Sequence, residues 1–269
     1  MFDYHVHTLF SADSSERIET YIEAAVRQGV TEICFTDHYD LDFPAPSQSS
    51  GQRWEADIGV AIAAITSLAE QSPVRLKCGV EMGLRLEGDI LARSVFHLSQ
   101  FDLDFILASV HLVDGIDPWY PDYFDGKSRQ EGFSRYLETI YACLQKTDAW
   151  QAVGHIDYPV KGCPYEDKVL RYRDAPDVID ALFTHIIERG KCIEINGSVL
   201  AKLGDASPDL EIYQRYAALG GEYITLGSDA HVVGALNQRL EQAAALASCA
   251  GIRYVATFEK QTPTMHRID

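Results

Sequence analysis

Histidine and carboxylate side chains recur in this chain at spacings that suit metal ligation. His5 and His7 stand two residues apart in FDYHVHT, and Asp13 follows six residues later. Asp37 and His38 are adjacent in CFTDH, Glu81 closes KCGVE, His111 closes LASVH, and His155 lies in AVGHID. Asp229 and His231, again two apart, lie in TLGSDAH. An extended strand puts alternate side chains on one face, so each spaced pair can address a common centre. Imidazole nitrogens mixed with carboxylate oxygens suit Zn²⁺, Fe²⁺ or Mn²⁺ rather than oxygen-only ions such as Ca²⁺. His5, His7, Asp13, His38, Glu81, His111, His155, Asp229 and His231 supply six imidazoles and three carboxylates. That set is too large for one ion. It fits two or three divalent ions with a carboxylate bridging.

Each motif ends or follows a short apolar run. Runs at 1–6, 32–36, 74–80, 105–110, 152–154, 192–195 and 223–226 have the character of strands. Between and after them, helical periodicity covers 16–28, 54–70, 89–100, 129–145, 175–188, 209–218 and 236–250. A last β-like run follows at 253–258. Ser14-Ser15-Glu16 is a start signal for the first helix and Gly29 a stop. Pro176 with Gly190, and Pro208 with Gly220, bracket two others. Seven strand–helix repeats predict an α/β, TIM-barrel-like fold with parallel strands and crossover helices. In such a barrel the strand C-termini converge on one face, and the active site lies there. The nine candidate ligands would gather in that bowl. His97, His185 and His266 fall elsewhere and are expected to be surface or packing residues.

The chain has 269 residues, which one barrel fills, and no Gly/Ser linker divides it. A single domain over 1–269 is expected. Lys and Arg number 23 against 40 Asp and Glu, a net charge of −17. Such a surface repels a phosphate backbone, so the balance argues against broad nucleic-acid binding. The opening MFDYHVHTLF has no basic and no apolar region of a secretory signal. No stretch approaches the ~18 apolar residues of a membrane span. Six cysteines form no CxxC, and Cys34, Cys78 and Cys192 lie in apolar runs as reduced, buried thiols would. These features predict a cytoplasmic protein with no membrane partner. Nothing in the sequence sets an oligomeric state. Two long irregular stretches, 39–53 and 112–127, follow strand ends, where long loops usually serve function.

In order and spacing the motifs resemble the PHP (polymerase and histidinol phosphatase) family. The match runs from HxH and Asp13 through TDH, GVE, SVH and GHID to SDAH, residues 5 to 231. The resemblance implies a distorted (β/α)7 barrel. It implies one metal position at His5, His7, Glu81 and Asp229. Glu81 would bridge to a second held with His111 and His155, and Asp13, His38 and His231 would form a third. Asp13 stands where some members carry histidine. Asp37 is expected either to orient a ligand or to cap a strand end. Single-domain length without polymerase modules is similar to the histidinol-phosphate phosphatase branch. That implies hydrolysis of L-histidinol phosphate to L-histidinol and phosphate in histidine biosynthesis.

The expected chemistry is in-line attack on phosphorus by a hydroxide bridging two ions, with remaining cations holding the non-bridging oxygens. Glu81, Asp229 and His231 are the candidate catalytic residues, and Asp157 joins Asp229 and His231 as a candidate donor to the leaving group. Lys161, Arg129 and Asn196, with Ser198 nearby, are candidates for binding a small phosphorylated substrate. The alternative for Arg129 and Lys161 is a solvated surface charge, and for Asn196 a turn before Gly197. Trp119, Tyr120 and Tyr123 could pack over a ring, and Asp114, Asp117 and Asp122 could attract an amine. Two other functions stay open: a phosphoesterase acting on other phosphomonoesters, nucleotides or nucleic-acid ends, and a non-catalytic metal-dependent scaffold. The acidic balance weighs against nucleic acid, and the complete ligand set weighs against a scaffold.

Overall fold

The apolar runs become strands in a computed structural model of the chain, which describes residues 1–44, 53–203 and 207–268. Strands β1 (Phe2–Val6), β2 (Glu32–Phe35), β4 (Arg75–Gly83), β5 (Phe105–Ser109), β6 (Ala152–Val153), β7 (Cys192–Asn196) and β8 (Tyr223–Gly227) lie side by side, each parallel to the next. A two-residue strand, β3 (His38–Tyr39), continues the line of β2 along the far end of β4. Every residue of β5 is buried, as expected for a parallel strand covered on both faces. Helices α1 (Ile18–Gln28), α2 (Ile58–Ala69), α3 (Ile90–Leu98), α4 (Arg129–Leu144), α5 (Pro176–Glu188), α7 (Leu210–Ala218) and α8 (Leu240–Ala250) follow the strands. A short α6 (Gly197–Leu203), absent from the sequence reading, extends directly from β7.

The ring closes unevenly. Just past β8, Ala230 bridges to Val6 of β1, and the His7 amide donates to the Ala230 carbonyl at 2.9 Å. At its start, β8 pairs instead with β9 (Tyr254–Glu259), and β10 (Thr262–Arg267) runs back antiparallel along β9. The result is a distorted (β/α)7 barrel with a hairpin at its N-terminal end. Sequence reasoning finds one β-like run here and misses the hairpin. Its turn residues, Lys260 and Gln261, are left-handed (φ 48° and 63°) but carry no Asn-Gly signal. Asp104 holds the turn by accepting from the Lys260 amide at 2.9 Å and the Gln261 amide at 2.8 Å. Ala256 and Phe258 then join Tyr4, Cys34, Phe105, Leu107, Ala152 and Cys192 in a cluster that fills this end of the barrel.

Two helix starts differ from the sequence reading. Helix α1 begins at Ile18 with Arg17 at its N-cap and no side-chain cap, while the Ser14 hydroxyl donates to the His231 carbonyl at 2.9 Å. Helix α2 begins at Ile58, after Asp57 caps the Val60 amide at 3.1 Å. Gly29 ends α1 in the left-handed region, as its position suggests. Cys34 and Cys192 are buried, Cys78 is partly so, and all six cysteines are free thiols. His97 stacks on Tyr39, His185 sits edge-on to Tyr141, and His266 bonds Thr257, so these three serve packing. Among the described residues no helix is long and apolar enough to cross a membrane.

Phe258 lies 5.0 Å from Phe105, ring to ring, and is 3% exposed. Phe258→Ala should therefore lower the unfolding free energy by about 3–5 kcal/mol, read from urea denaturation. A change too small to measure would mean that the hairpin is not part of the barrel core.

Candidate metal centre

The strand C-termini bring all nine predicted ligands into one bowl. Glu81, fully buried near the end of β4, lies at its centre. Its Oε2 is 3.3 Å from His5 Nε2, 3.5 Å from His7 Nε2 and 3.1 Å from His38 Nδ1. Its Oε1 is 3.2 Å from His111 Nε2 and 2.9 Å from His155 Nε2. Asp229 Oδ1 faces the Nε2 atoms of His5 and His7, each at 3.5 Å. Asp229 is left-handed (φ 55°), a conformation non-glycine residues seldom adopt, and it turns the chain just after β8. At the rim, Asp13 Oδ2 is 3.0 Å from His231 Nε2 and 3.5 Å from His38 Nε2.

The rear nitrogens of His5, His7 and His111 are held from behind. His5 Nδ1 donates to Glu194 Oε1 at 2.7 Å, and His111 Nδ1 donates to Asp40 Oδ1 at 2.8 Å. Asp40 Oδ2 also lies 3.2 Å from His38 Nδ1. His7 Nδ1 bonds the Ser11 hydroxyl at 3.0 Å, and Asp37 accepts from Ser11 Oγ and from the Thr8 amide. Asp37 thus reaches the His7 ring through the Ser11 hydroxyl. Two glycines make room for the supporting carboxylates. A Cβ on Gly83 would meet Asp40 Oδ1 at 2.1 Å, and one on Gly227 would meet Glu194 Oε1 at 2.0 Å.

This arrangement fits cations. His5 Nε2, His7 Nε2 and Glu81 Oε2 are buried without a hydrogen-bond partner, although they point at one another. Among the described residues three groups have ligand atoms close enough to share an ion: His5, His7 and Glu81; His38, Glu81 and His111; and His7, Asp13, His38 and His231. Orphaned buried polar atoms are costly, and a metal removes the cost. The electrostatics agree. Burial opposes charge on His111, but Asp40 and Glu81 outweigh it and lift the ring to about 10. Burial, then His231 and His38, push His7 down to about 3. Burial raises Glu81, but His5, His38 and His111 hold its carboxyl well below the ordinary range. Carboxylates thus favour a proton on several rings, and a divalent ion held there would take its place.

Above the bowl opens a cavity of about 680 Å³. Asp13, His38, Glu81, His111, His155, Asp229 and His231 line it, together with Lys161, Ser198 and Lys202. The profile of the PHP domain matches residues 3–198. The chain belongs to the PHP domain family. It is 30% identical over 97% of its length, and 98% of the relative's, to a probable histidinol-phosphatase of Clostridium acetobutylicum. It is 28% identical to a histidinol-phosphatase of Lactococcus lactis, covering 95% of this chain and 93% of the relative. The solved histidinol phosphate phosphatase of Lactococcus lactis, complexed with zinc, L-histidinol and phosphate, superposes with a TM-score of 0.87. That match has 26% identity and covers 98% of both chains. A structure from Listeria monocytogenes, 15% identical, shares the PHP fold with a TM-score of 0.74, covering 90% of this chain and 99% of that one.

Not every expected substrate residue reaches the cavity. Lys161 does, and its Nζ donates to Asp229 Oδ2 at 3.0 Å. Arg129 does not: it donates to Asp174 Oδ1 at 2.6 Å and to the carbonyls of Asp167 and Val169. Its position at the start of α4 aims it at the 167–174 segment, so it staples that segment. Asn196 lies outside the lining, donating to Glu194 Oε2 at 3.0 Å and accepting from Ser198 Oγ at 2.6 Å. Asp157 is also outside it, buried, with burial raising its carboxyl to about 7. Trp119, Tyr120, Asp117 and Asp122 line the cavity. Tyr123 is buried with its hydroxyl on the Gly132 carbonyl, and Asp114 pairs with Arg135 on the surface. Sequence reasoning misses Asp40, Glu194 and Lys202. For the first two a signal exists: Asp40 follows His38 by two residues, and Glu194 interrupts the apolar run CIEIN.

Asp40→Asn should weaken metal binding about 10–100-fold, measured by competition with a chromogenic chelator. Unchanged affinity would remove Asp40 from the ligand support. Arg129→Met should lower stability by about 1.5–3 kcal/mol and leave KM for a phosphomonoester where it was. A raised KM with normal stability would return Arg129 to the substrate.

Proposed function

We propose that this chain hydrolyses L-histidinol phosphate to L-histidinol and inorganic phosphate, as a cytoplasmic enzyme of histidine biosynthesis. The observation that carries this reading is the set of orphaned ligand atoms on His5, His7 and Glu81. They lie at the bottom of a barrel that superposes on the Lactococcus lactis enzyme bound to zinc, L-histidinol and phosphate. Two or three divalent ions, zinc, iron or manganese, would be held here. His5, His7, Glu81 and Asp229 would hold one. Glu81 with His111 and His155 would hold the next, and Asp13, His38 and His231 the third. When bound, such ions lower the pKa of a water and offset charge on phosphoryl oxygens.

The chain's own groups do the positioning. Glu81, facing five rings, ties the ligand positions together, and Glu194 and Asp40 fix the ring orientations that aim Nε2 of His5 and His111 inward. Lys161 and Lys202 bring ammonium groups to the cavity, where they can meet the outer oxygens of a phosphomonoester. Each lies 4.8 Å from the Trp119 ring centroid, which restricts where the ammonium can move. Asp229 accepts from Lys161 and from Ser198 on one oxygen, leaving the other toward His5 and His7. His231, partly exposed at the rim, is the ring nearest to solvent and to an arriving substrate.

Phosphate release from L-histidinol phosphate, beside sugar and nucleotide monophosphates, is the direct test. L-histidinol phosphate should be the best substrate of the panel. Chelation should abolish turnover and added metal restore it, and Glu81→Ala should lose both activity and bound metal. Faster hydrolysis of another monophosphate would overturn the substrate, and near-normal turnover in Glu81→Ala would overturn the bridging role.

A further inference from the structure

The cavity is wider than the proposed substrate requires. In a liquid a water-sized centre takes about 30 Å³, so L-histidinol phosphate, with about 14 non-hydrogen atoms, fills at most about 420 Å³. Two or three ions add about 60–90 Å³ on the same scale. The cavity offers about 680 Å³. An indole in place of the imidazole adds about four atoms, or about 120 Å³, and still fits.

The cavity has an apolar part to its lining. Phe43, Trp54, Ile116 and Tyr120 belong to it, and Ile116 and Tyr120 are 37% and 53% exposed. Large apolar side chains left open in one cavity mark a site that receives an apolar group. Trp119 is already committed, with an ammonium of Lys161 and one of Lys202 against its ring. The wall continues to the metal-ligand cluster, because Trp54 stands edge-on to His38 at 5.3 Å and packs on Phe43 at 5.1 Å. A substrate with its phosphate at the bowl can therefore extend an aryl group along this surface.

We propose that the wall is an aryl subsite, and that the chain also hydrolyses 2-amino-3-arylpropyl phosphates with rings larger than imidazole, such as L-tryptophanol phosphate. This rests on reading the cavity as a phosphomonoester site. Water attacks phosphorus, the P–O bond to the alcohol breaks, and the alcohol leaves with a proton, as in the proposed reaction.

The test compares kcat/KM of the metal-loaded enzyme for L-tryptophanol phosphate, L-histidinol phosphate and O-phosphoethanolamine, which has no ring. The indole ester should exceed the ringless ester by about tenfold or more, and a smaller ratio overturns the subsite. In the double variant Ile116→Ala, Tyr120→Ala that advantage should shrink by about 2–12-fold. An undiminished advantage in a folded variant places the ring elsewhere and also overturns the proposal. If L-histidinol phosphate is inert while the indole ester keeps its advantage, the proposed function fails and the subsite stands. If L-histidinol phosphate is turned over and the indole ester is not, the reverse holds.

Discussion

A buried carboxylate faced by five imidazoles sets the terms for the rest of this structure. Glu81 cannot sit unpaired in the barrel, and the rings around it cannot all keep protons without repelling one another. His7 illustrates the conflict. It is pushed down to about 3 by burial and by two neighbouring rings, although its Nε2 faces two carboxylates. Protons alone cannot satisfy this cluster, because each one added to a ring opposes the next. Divalent cations can, since they draw lone pairs from rings and carboxylates together.

That constraint explains the layer beneath the bowl. A ring left free to rotate would present the wrong nitrogen, and three of the rings have a partner at their back. Glu194 serves His5, Asp40 serves His111, and Ser11, itself held by Asp37, serves His7. The supports come from β7, from the residue after β3 and from the turn after β1, so ligand orientation depends on strand register around much of the ring. Gly83 and Gly227 show how tightly that register is held, since a methyl at either would strike the supporting carboxylate.

The clustered histidines and carboxylates were legible in the sequence because they combine two independent signals, residue type and position at the end of an apolar run. His5, His7, His38, Glu81, His111, His155, Asp229 and His231 all carry both. Their supports carry only one. Glu194 lies within β7, where periodicity suggests a packed strand, and only its charge betrays it. Arg129 misled for the opposite reason. It follows a long loop that does reach the cavity, but as the first residue of α4 its side chain runs toward the 167–174 segment. The barrel itself followed from strand–helix alternation. The hairpin and α6 did not, because a Lys-Gln turn and a glycine-led helix carry no conventional marker.

Charge at the cavity closes the argument about the ions. Five lining carboxylates, Asp13, Glu81, Asp117, Asp122 and Asp229, face two ammonium groups, Lys161 and Lys202. With neutral histidines that leaves three negative charges, in a chain whose net charge is already −17. Each divalent ion held there would offset two of those charges. Ions held here would therefore do more than lower the pKa of a water: they would offset the acidic lining that a phosphate meets.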